Sequence, residues 1–287
     1  MSHAKLCKNM AGCCMLHNRP EEALKYIQMA LEIHRTVVPS LKSHEALGAQ
    51  LAAALISAQL QQYSEAMEAL KQLIALLEHP PTAKDRPHYH ILMCAAYMQL
   101  GHIHGSCLGK QPDPAQAMRQ LERAAAALEV VDTARRYDMW PAIHCRMLHV
   151  YRQKKEYGKG MKSAAKWLAA TEQIHGPQST TTAQFIEAIG GLQMGMGELE
   201  AAAASYLRAM QIHEQQVGTK HASTGIVYYN LSILLWWQER REEAVSMHRK
   251  FLAADINEDM VKAAASRLEP QWRMALDEIA AAAASSA

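Results

Sequence analysis

The chain has 287 residues, of which 49% are hydrophobic and only 6% aromatic, and its 30 basic and 28 acidic side chains nearly cancel. This balance argues against a dedicated nucleic-acid-binding protein, which usually has a clear basic excess. The sequence has no run of 18 apolar residues that would predict a membrane span. Alanine occurs 49 times and methionine 17 times. Because these residues favour helices, whereas strands prefer β-branched and aromatic side chains, the composition predicts an all-α protein.

The N-terminal residues, MSHAKLCKN, lack the apolar core of a signal peptide. The six cysteines show no spacing that is typical of a disulfide framework. Disulfides persist mainly in oxidising compartments, so both observations favour an intracellular protein over a secreted one.

Six short segments, taken in chain order, each combine the end of a turn with the start of a helix. The same place in every segment is occupied by a small residue: Ala23, Ala66, Ala117, Gly160, Ala202 and Ala244. Their spacings are 43, 51, 43, 42 and 42 residues, which predicts an internal repeat. Because a small side chain lets two helices approach closely, each position is expected to mark the crossing of one helix pair.

The later repeats contain the most informative segments. Residues 209–221 (AMQIHEQQVGTKH) combine a long second helix with a Gly-x-x-His linker, and residues 228–235 (YYNLSILL) begin the next helix. A weaker copy of the linker, IHGP, lies at 174–177. These segments resemble the tetratricopeptide repeats of kinesin light chains, which are longer than the usual period of about 34 residues. The resemblance implies a right-handed α-solenoid of helix-turn-helix repeats whose first helices line a concave, partner-binding groove.

We expect six repeats and a C-terminal cap. The repeats are predicted at about 3–38, 44–79, 86–131, 138–175, 180–217 and 222–255, and a capping helix or pair of helices with a frayed tail at 257–287. A terminal cap is expected because the last repeat of a solenoid exposes an apolar end. The third repeat has a longer turn, predicted at 101–114, which accounts for the spacing of 51. It is either a neutral extension or a contact loop.

One candidate partner-binding group is basic. Arg146, His149 and Arg152 are spaced i, i+3 and i+6 and therefore lie roughly on one face of a helix. Arginine donates two parallel hydrogen bonds to a carboxylate or phosphate, so this face could bind an acidic partner. The alternative interpretation is a solvated basic strip without a ligand.

The other candidates are asparagines and aromatic residues. Asn9 and Asn230 occupy equivalent positions in their repeats, and in related repeats such an amide bonds the backbone of an extended partner. Tyr229, Trp236 and Trp237 belong to the largest aromatic concentration in the chain, and tyrosine and tryptophan are favoured at interfaces. Some of these rings are also expected to lie in the core.

The sequence predicts a protein-binding scaffold without catalysis, cofactor or metal. Such a scaffold is either a constitutive subunit of a large assembly, of the ciliary, cytoskeletal or organellar kind, or a soluble cytoplasmic adaptor that holds a short linear peptide. The pairs His88–His90 and His102–His104 leave a metal-dependent enzyme as a remote alternative. Residues i and i+2 point to different sides of a helix, so neither pair chelates a metal easily.

Overall fold

The computed structural model of the chain describes residues 2–17, 19–37, 43–80, 82, 84–105, 112–131, 133–256 and 270–285. All the regular secondary structure within these ranges is helical, which confirms the all-α class. The helices are α1 (Ser2–Leu16), α2 (Pro20–Val37), α3 (His44–Gln59), α4 (Tyr63–Leu77), α5 (Arg86–Gly105), α6 (Pro114–Glu129), α7 (Thr133–Gln153), α8 (Tyr157–His175), α9 (Thr180–Met196), α10 (Leu199–Val217), α11 (Ala222–Trp237), α12 (Arg241–Leu252) and α13 (Pro270–Ser285).

The chain divides into two compact units, residues 1–143 (unit 1) and 144–287 (unit 2), and the division falls within α7. Neighbouring helices pack pairwise inside each unit, for example α5 on α6 in unit 1 and α9 on α10 in unit 2. In unit 2, α13 packs against both α11 and α12. We propose that the helix pairs correspond to the six expected repeats and that α13 is the cap.

The six repeated small residues lie in the interior. The five alanines are 0% exposed, and Gly160 is also buried. A Cβ added to Gly160 would lie 3.0 Å from a Leu192 methyl group and 3.1 Å from Tyr151 Cβ. Because α7 supplies Tyr151 and α9 supplies Leu192, a larger residue at this point would separate α8 from its neighbours on both sides.

Four tight turns share one backbone conformation. Each has a single residue in the left-handed region, and each such residue precedes a small residue by five positions: Gln61 (φ 63°), Lys155 (φ 57°), Gly197 (φ 80°) and Glu239 (φ 61°). Only one of the four is glycine, although left-handed backbone is easiest for glycine. The surrounding helix pair therefore holds the other three residues in this conformation.

The two predicted linker copies have the same local structure. Gly176 and Gly218 both adopt left-handed backbone, with φ of 86° and 88°. The Thr182 hydroxyl donates to the Gly176 carbonyl at 2.8 Å, and the Thr224 hydroxyl donates to the Gly218 carbonyl at 2.7 Å. These equivalent bonds lie one repeat apart and fix the direction in which the next first helix starts.

The predicted long turn at 101–114 is partly wrong, because α5 continues to Gly105. Ile103 is only 6% exposed in this extension, and its burial favours continued helix. The helix α7 also begins at Thr133, before the expected start at about 138. Residues 106–111 of the predicted turn and residues 257–269 of the predicted C-terminal cap lie outside the described residues.

A buried histidine in α10 makes the stability of unit 2 sensitive to acid. His213 is 0% exposed, and neither ring nitrogen has a hydrogen-bond partner among the described residues. Burial lowers the pKa of His213, and nearby His221 lowers it further. The unfolded chain accepts this proton near pH 6.5, at about the ordinary histidine pKa, but the native state resists it. The free energy of unfolding should therefore decrease as the pH falls below about 6.5.

We expect a His213→Leu variant to lose part of this pH dependence. Leucine leaves no unpaired polar atom, so the variant should be as stable as the parent, or more stable, at pH 8. Urea unfolding of both proteins at pH 8 and pH 5 measures the difference. His248, whose pKa is also lowered by burial, would account for part of the remaining dependence. An identical loss of stability in both proteins between the two pH values would contradict the assignment to His213.

Candidate partner-binding site

The predicted basic face lies on the part of α7 that belongs to unit 2. Arg146, His149 and Arg152 are each half-buried, and each already contacts other groups of the protein. The thiol of Cys145 lies 3.9 Å from His149 Nε2 and donates to the Gln184 carbonyl of α9 at 3.6 Å. The basic face is thus packed at the junction of α7 with α9 and is not a fully solvated strip.

Arg152 extends from α7 onto the backbone of α9. A Cβ built on Gly191 would lie 2.6 Å from a guanidinium nitrogen of Arg152, so only glycine leaves room for this contact. Tyr206 of α10, which packs against the neighbouring Gly190 of α9, is fully buried, and burial raises its pKa. The positive charge of Arg152 opposes that increase, whereas the negative charge of Glu187 adds to it. Arg152 and Glu187 therefore both lie near enough to Tyr206 to influence its pKa, in opposite directions.

Asn230 joins α11 to α9. Its side-chain amide donates to Glu187 Oε1 at 2.9 Å, and both residues are partly buried. The bond spans 43 residues, which is one repeat. Together with the α7 side chains it forms a set on the first helices of three successive pairs, which we call the polar row: Arg146, His149, Arg152, Glu187 and Asn230.

Sequence reasoning did not include Glu187 among the candidate site residues. Glu187 precedes Asn230 by about one repeat length. Because equivalent residues of adjacent repeats tend to be neighbours, this spacing could have predicted that the two side chains meet. The amide of Asn230 is consequently occupied by a carboxylate. Asn9, its predicted equivalent, is exposed on α1 and belongs to unit 1.

The structure contradicts the predicted role of Tyr229 as a partner contact. This ring is 2% exposed and packs against Phe251 with 5.1 Å between ring centroids. Ten residues of α11 are buried, so most of the helix surface contacts other helices. A partner could reach Tyr229 only if the core opened.

Trp236 and Trp237 differ in their surroundings. The Trp236 indole donates to Glu278 Oε2 of α13 at 2.8 Å, and the Arg241 guanidinium carbon lies 3.8 Å from the Trp236 ring centroid. Trp237 is 44% exposed. The first tryptophan thus connects three helices, while a large part of the second faces solvent.

A cavity of about 330 Å³ opens beside these two rings. We call it the edge pocket; it is lined by Trp236, Trp237, Glu239, Arg241, Met274, Ala275 and Glu278. The end of α11, the following turn, the start of α12 and the face of α13 provide its walls. All of these residues belong to unit 2.

The described part of the chain shows no candidate metal cluster and no candidate membrane span. It contains no group of three histidine, cysteine or carboxylate side chains placed to hold a metal ion. None of its helices combines the length and the apolarity that crossing a bilayer requires.

The comparisons with known proteins agree with the geometry of the helix pairs. A family model described as tetratricopeptide repeat matches residues 182–257, which include α9 to α12. Residues 182–257 therefore resemble tetratricopeptide repeats. No curated protein matches it significantly in sequence.

Solved tetratricopeptide-like structures match most of the chain at low sequence identity. The assembly chaperone of RpL4 covers 97% of this chain and 99% of its own, with a TM-score of 0.59 and 13% identity. The nearly identical TPR-like repeats assigned to a Podosopora anserina kinesin light chain cover 76% and 99%, with a TM-score of 0.53 and 15% identity. PilW, a type IV pilus biogenesis factor, covers 90% and 96%, with a TM-score of 0.53 and 15% identity.

These likenesses establish the fold, and they confirm the predicted resemblance to kinesin-light-chain repeats. Tetratricopeptide repeats are in general protein-interaction scaffolds, because their stacked helix pairs present long surfaces to partners. At identities below 25%, the functions of the structural relatives do not transfer to this protein.

Proposed function

We propose that the protein is a non-catalytic scaffold that binds an extended segment of a protein partner along the polar row. The observation that supports this most directly is the Glu187–Asn230 bond, which joins the first helices α9 and α11. Together with the cations of α7, it gives polar side chains on three successive first helices. In the predicted solenoid, these helices line the concave groove. A ligand there would cross one repeat after another.

The chemistry of the polar row favours a partner with acidic side chains. Arg146 and Arg152 supply guanidinium donors that bind carboxylates in pairs, and His149 adds a third donor when protonated. Glu187 opposes a uniformly acidic ligand, because like charges repel. The preferred segment therefore combines one or two carboxylates at the α7 end with neutral residues over α9 and α11.

Arg146→Glu should weaken binding of such a segment about tenfold or more, because a hydrogen bond to a charged group contributes about 1.5–3 kcal/mol. The probe is a fluorescein-labelled nine-residue peptide with two glutamates and one tryptophan, titrated by fluorescence anisotropy. Lys166→Glu, the same charge change on an exposed residue of α8, is the matched control and should leave the affinity nearly unchanged. Equal weakening by both variants would show that only the overall charge of the protein matters.

A second candidate function is that of a constitutive subunit held by broad surfaces. Its support is the exposed apolar surface of α1, where Leu6 is 60% and Leu16 87% exposed. In a large assembly such surface is covered by neighbours. A protein that binds no acidic peptide, yet becomes soluble only when co-expressed with its neighbours, would favour this function. For both candidate functions, the peptide-binding scaffold and the constitutive subunit, we propose a cytoplasmic, cytoskeletal or ciliary location.

A further inference from the structure

The edge pocket has the size and the lining of a binding site for one or two side chains. Ligand-binding cavities in proteins usually measure about 300–1,000 Å³, so its volume of about 330 Å³ is at the small end. Its apolar surface comes from Trp237 and Met274, which are 44% and 67% exposed. Large side chains of this kind, next to each other and accessible, are typical of partner-binding surfaces.

One wall of the edge pocket is already ordered. The indole N–H of Trp236 donates to Glu278, and the Arg241 guanidinium covers the Trp236 ring. These two contacts fix the end of α11 relative to α12 and α13. A ligand would therefore meet a preformed wall and lose less conformational entropy on the protein side.

The charges of the edge pocket favour a cationic ligand. Two of its lining side chains, Glu239 and Glu278, are exposed carboxylates. Among the described lining residues the only cation is Arg241, and it lies on the Trp236 ring. The neighbouring Arg240 binds Glu243 through two hydrogen bonds of 2.7 Å, so that pair adds no net charge. The described lining residues thus have an excess of one negative charge, beside aromatic rings that attract cations.

We infer that the edge pocket binds a lysine or arginine side chain of a protein partner. The aliphatic stem of that side chain packs against Trp237 and Met274, as the stems of long basic residues do on apolar surfaces. Its charged group lies between the carboxylates of Glu239 and Glu278. This site is separate from the polar row and selects the opposite charge, so a partner that uses both has acidic residues at one end and a basic residue at the other.

The test uses the full chain and a capped five-residue peptide of glycines with one central arginine. The protein is ¹⁵N-labelled, and the peptide is followed through the indole N–H signals of the five tryptophans, which Trp236→Phe and Trp237→Phe variants assign. We expect the arginine peptide to shift the Trp237 signal in a saturable way that high salt weakens. Peptides with norleucine or glutamate at the centre should produce little or no shift.

Glu239→Gln should weaken binding of the arginine peptide up to about fivefold, because an exposed ion pair between a guanidinium and a carboxylate contributes up to about 1 kcal/mol. Glu200→Gln, the same change at an exposed position of α10, is the matched control.

Trp237→Ala should abolish saturable binding, and Met274→Ala should weaken it while the thermal midpoint of each variant stays near that of the parent. Equal shifts from the arginine, norleucine and glutamate peptides, or equal affinities of Glu239→Gln and Glu200→Gln, would overturn the inference. Failure of the acidic peptide at the polar row would not affect it.

Discussion

Replacing Ala202 with leucine is expected to lower the free energy of unfolding by about 1–3 kcal/mol, the usual cost of adding methylene groups to a packed core. Ala202 is 0% exposed and belongs to the same core cluster as Tyr206 and Val227. It is also the small residue of its repeat, five positions after the left-handed Gly197. Because the tight turn fixes the distance between α9 and α10, the extra atoms can be accommodated only if the helices move apart. Urea unfolding followed by circular dichroism measures the change.

The matched control is Ala204→Leu, which makes the same chemical change at an exposed position of α10. Substitutions at exposed positions usually alter stability by no more than about 0.5 kcal/mol. Both substitutions change helix propensity by a similar amount. A difference in the free energy of unfolding between the two variants therefore measures the effect of packing at the helix crossing. If Ala204→Leu destabilised the protein as much as Ala202→Leu, the repeated small residue would have no special packing role.

The sequence predicted the helix pairs because their determinants are local and repeated. Small residues recur at nearly constant spacing, and the structure buries all six. The end of α5 could not be predicted in the same way. Gly101 resembles a turn residue in the sequence, but in the fold a Cβ at this position would lie 2.9 Å from Leu121. The glycine permits close packing of α5 on α6 and does not end the helix.

The candidate site was predictable only in part, since residue type does not determine which side of α11 is covered. Tyr229, Asn230 and Trp236 lie on one strongly apolar helix, yet the first is in the core, the second bonds α9 and the third bonds α13. Those outcomes depend on partners 43 and 42 residues away in sequence. The repeat length gives the distance of such partners but not their identity. The edge pocket requires α13, whose position the repeat pattern does not specify.

Replacing Ile279 with alanine should lower the free energy of unfolding by about 2–5 kcal/mol, the range for truncation of a buried isoleucine. Ile279 is 0% exposed, and Ala275 and Ala283, one turn away on either side, are 4% and 8% exposed. These residues form one stripe of α13, which packs against α11 and α12. Ala275 belongs to the same cluster as Tyr229 and Phe251, so weaker docking of α13 should expose the end of this core.

Hydrogen exchange should show where stability is lost in the Ile279→Ala variant. Amides of α13 should exchange faster, followed by those of α11 and α12, because the proposed cap covers these two helices. Met274→Ala truncates a residue of the same helix that is 67% exposed and should change the exchange rates little. Faster exchange confined to α13 would mean that the helix is attached to the last repeat without stabilising it. Faster exchange in all three helices would support α13 as the cap. Because α13 also forms one wall of the edge pocket, this result would link partner binding at the pocket to the stability of the last repeat.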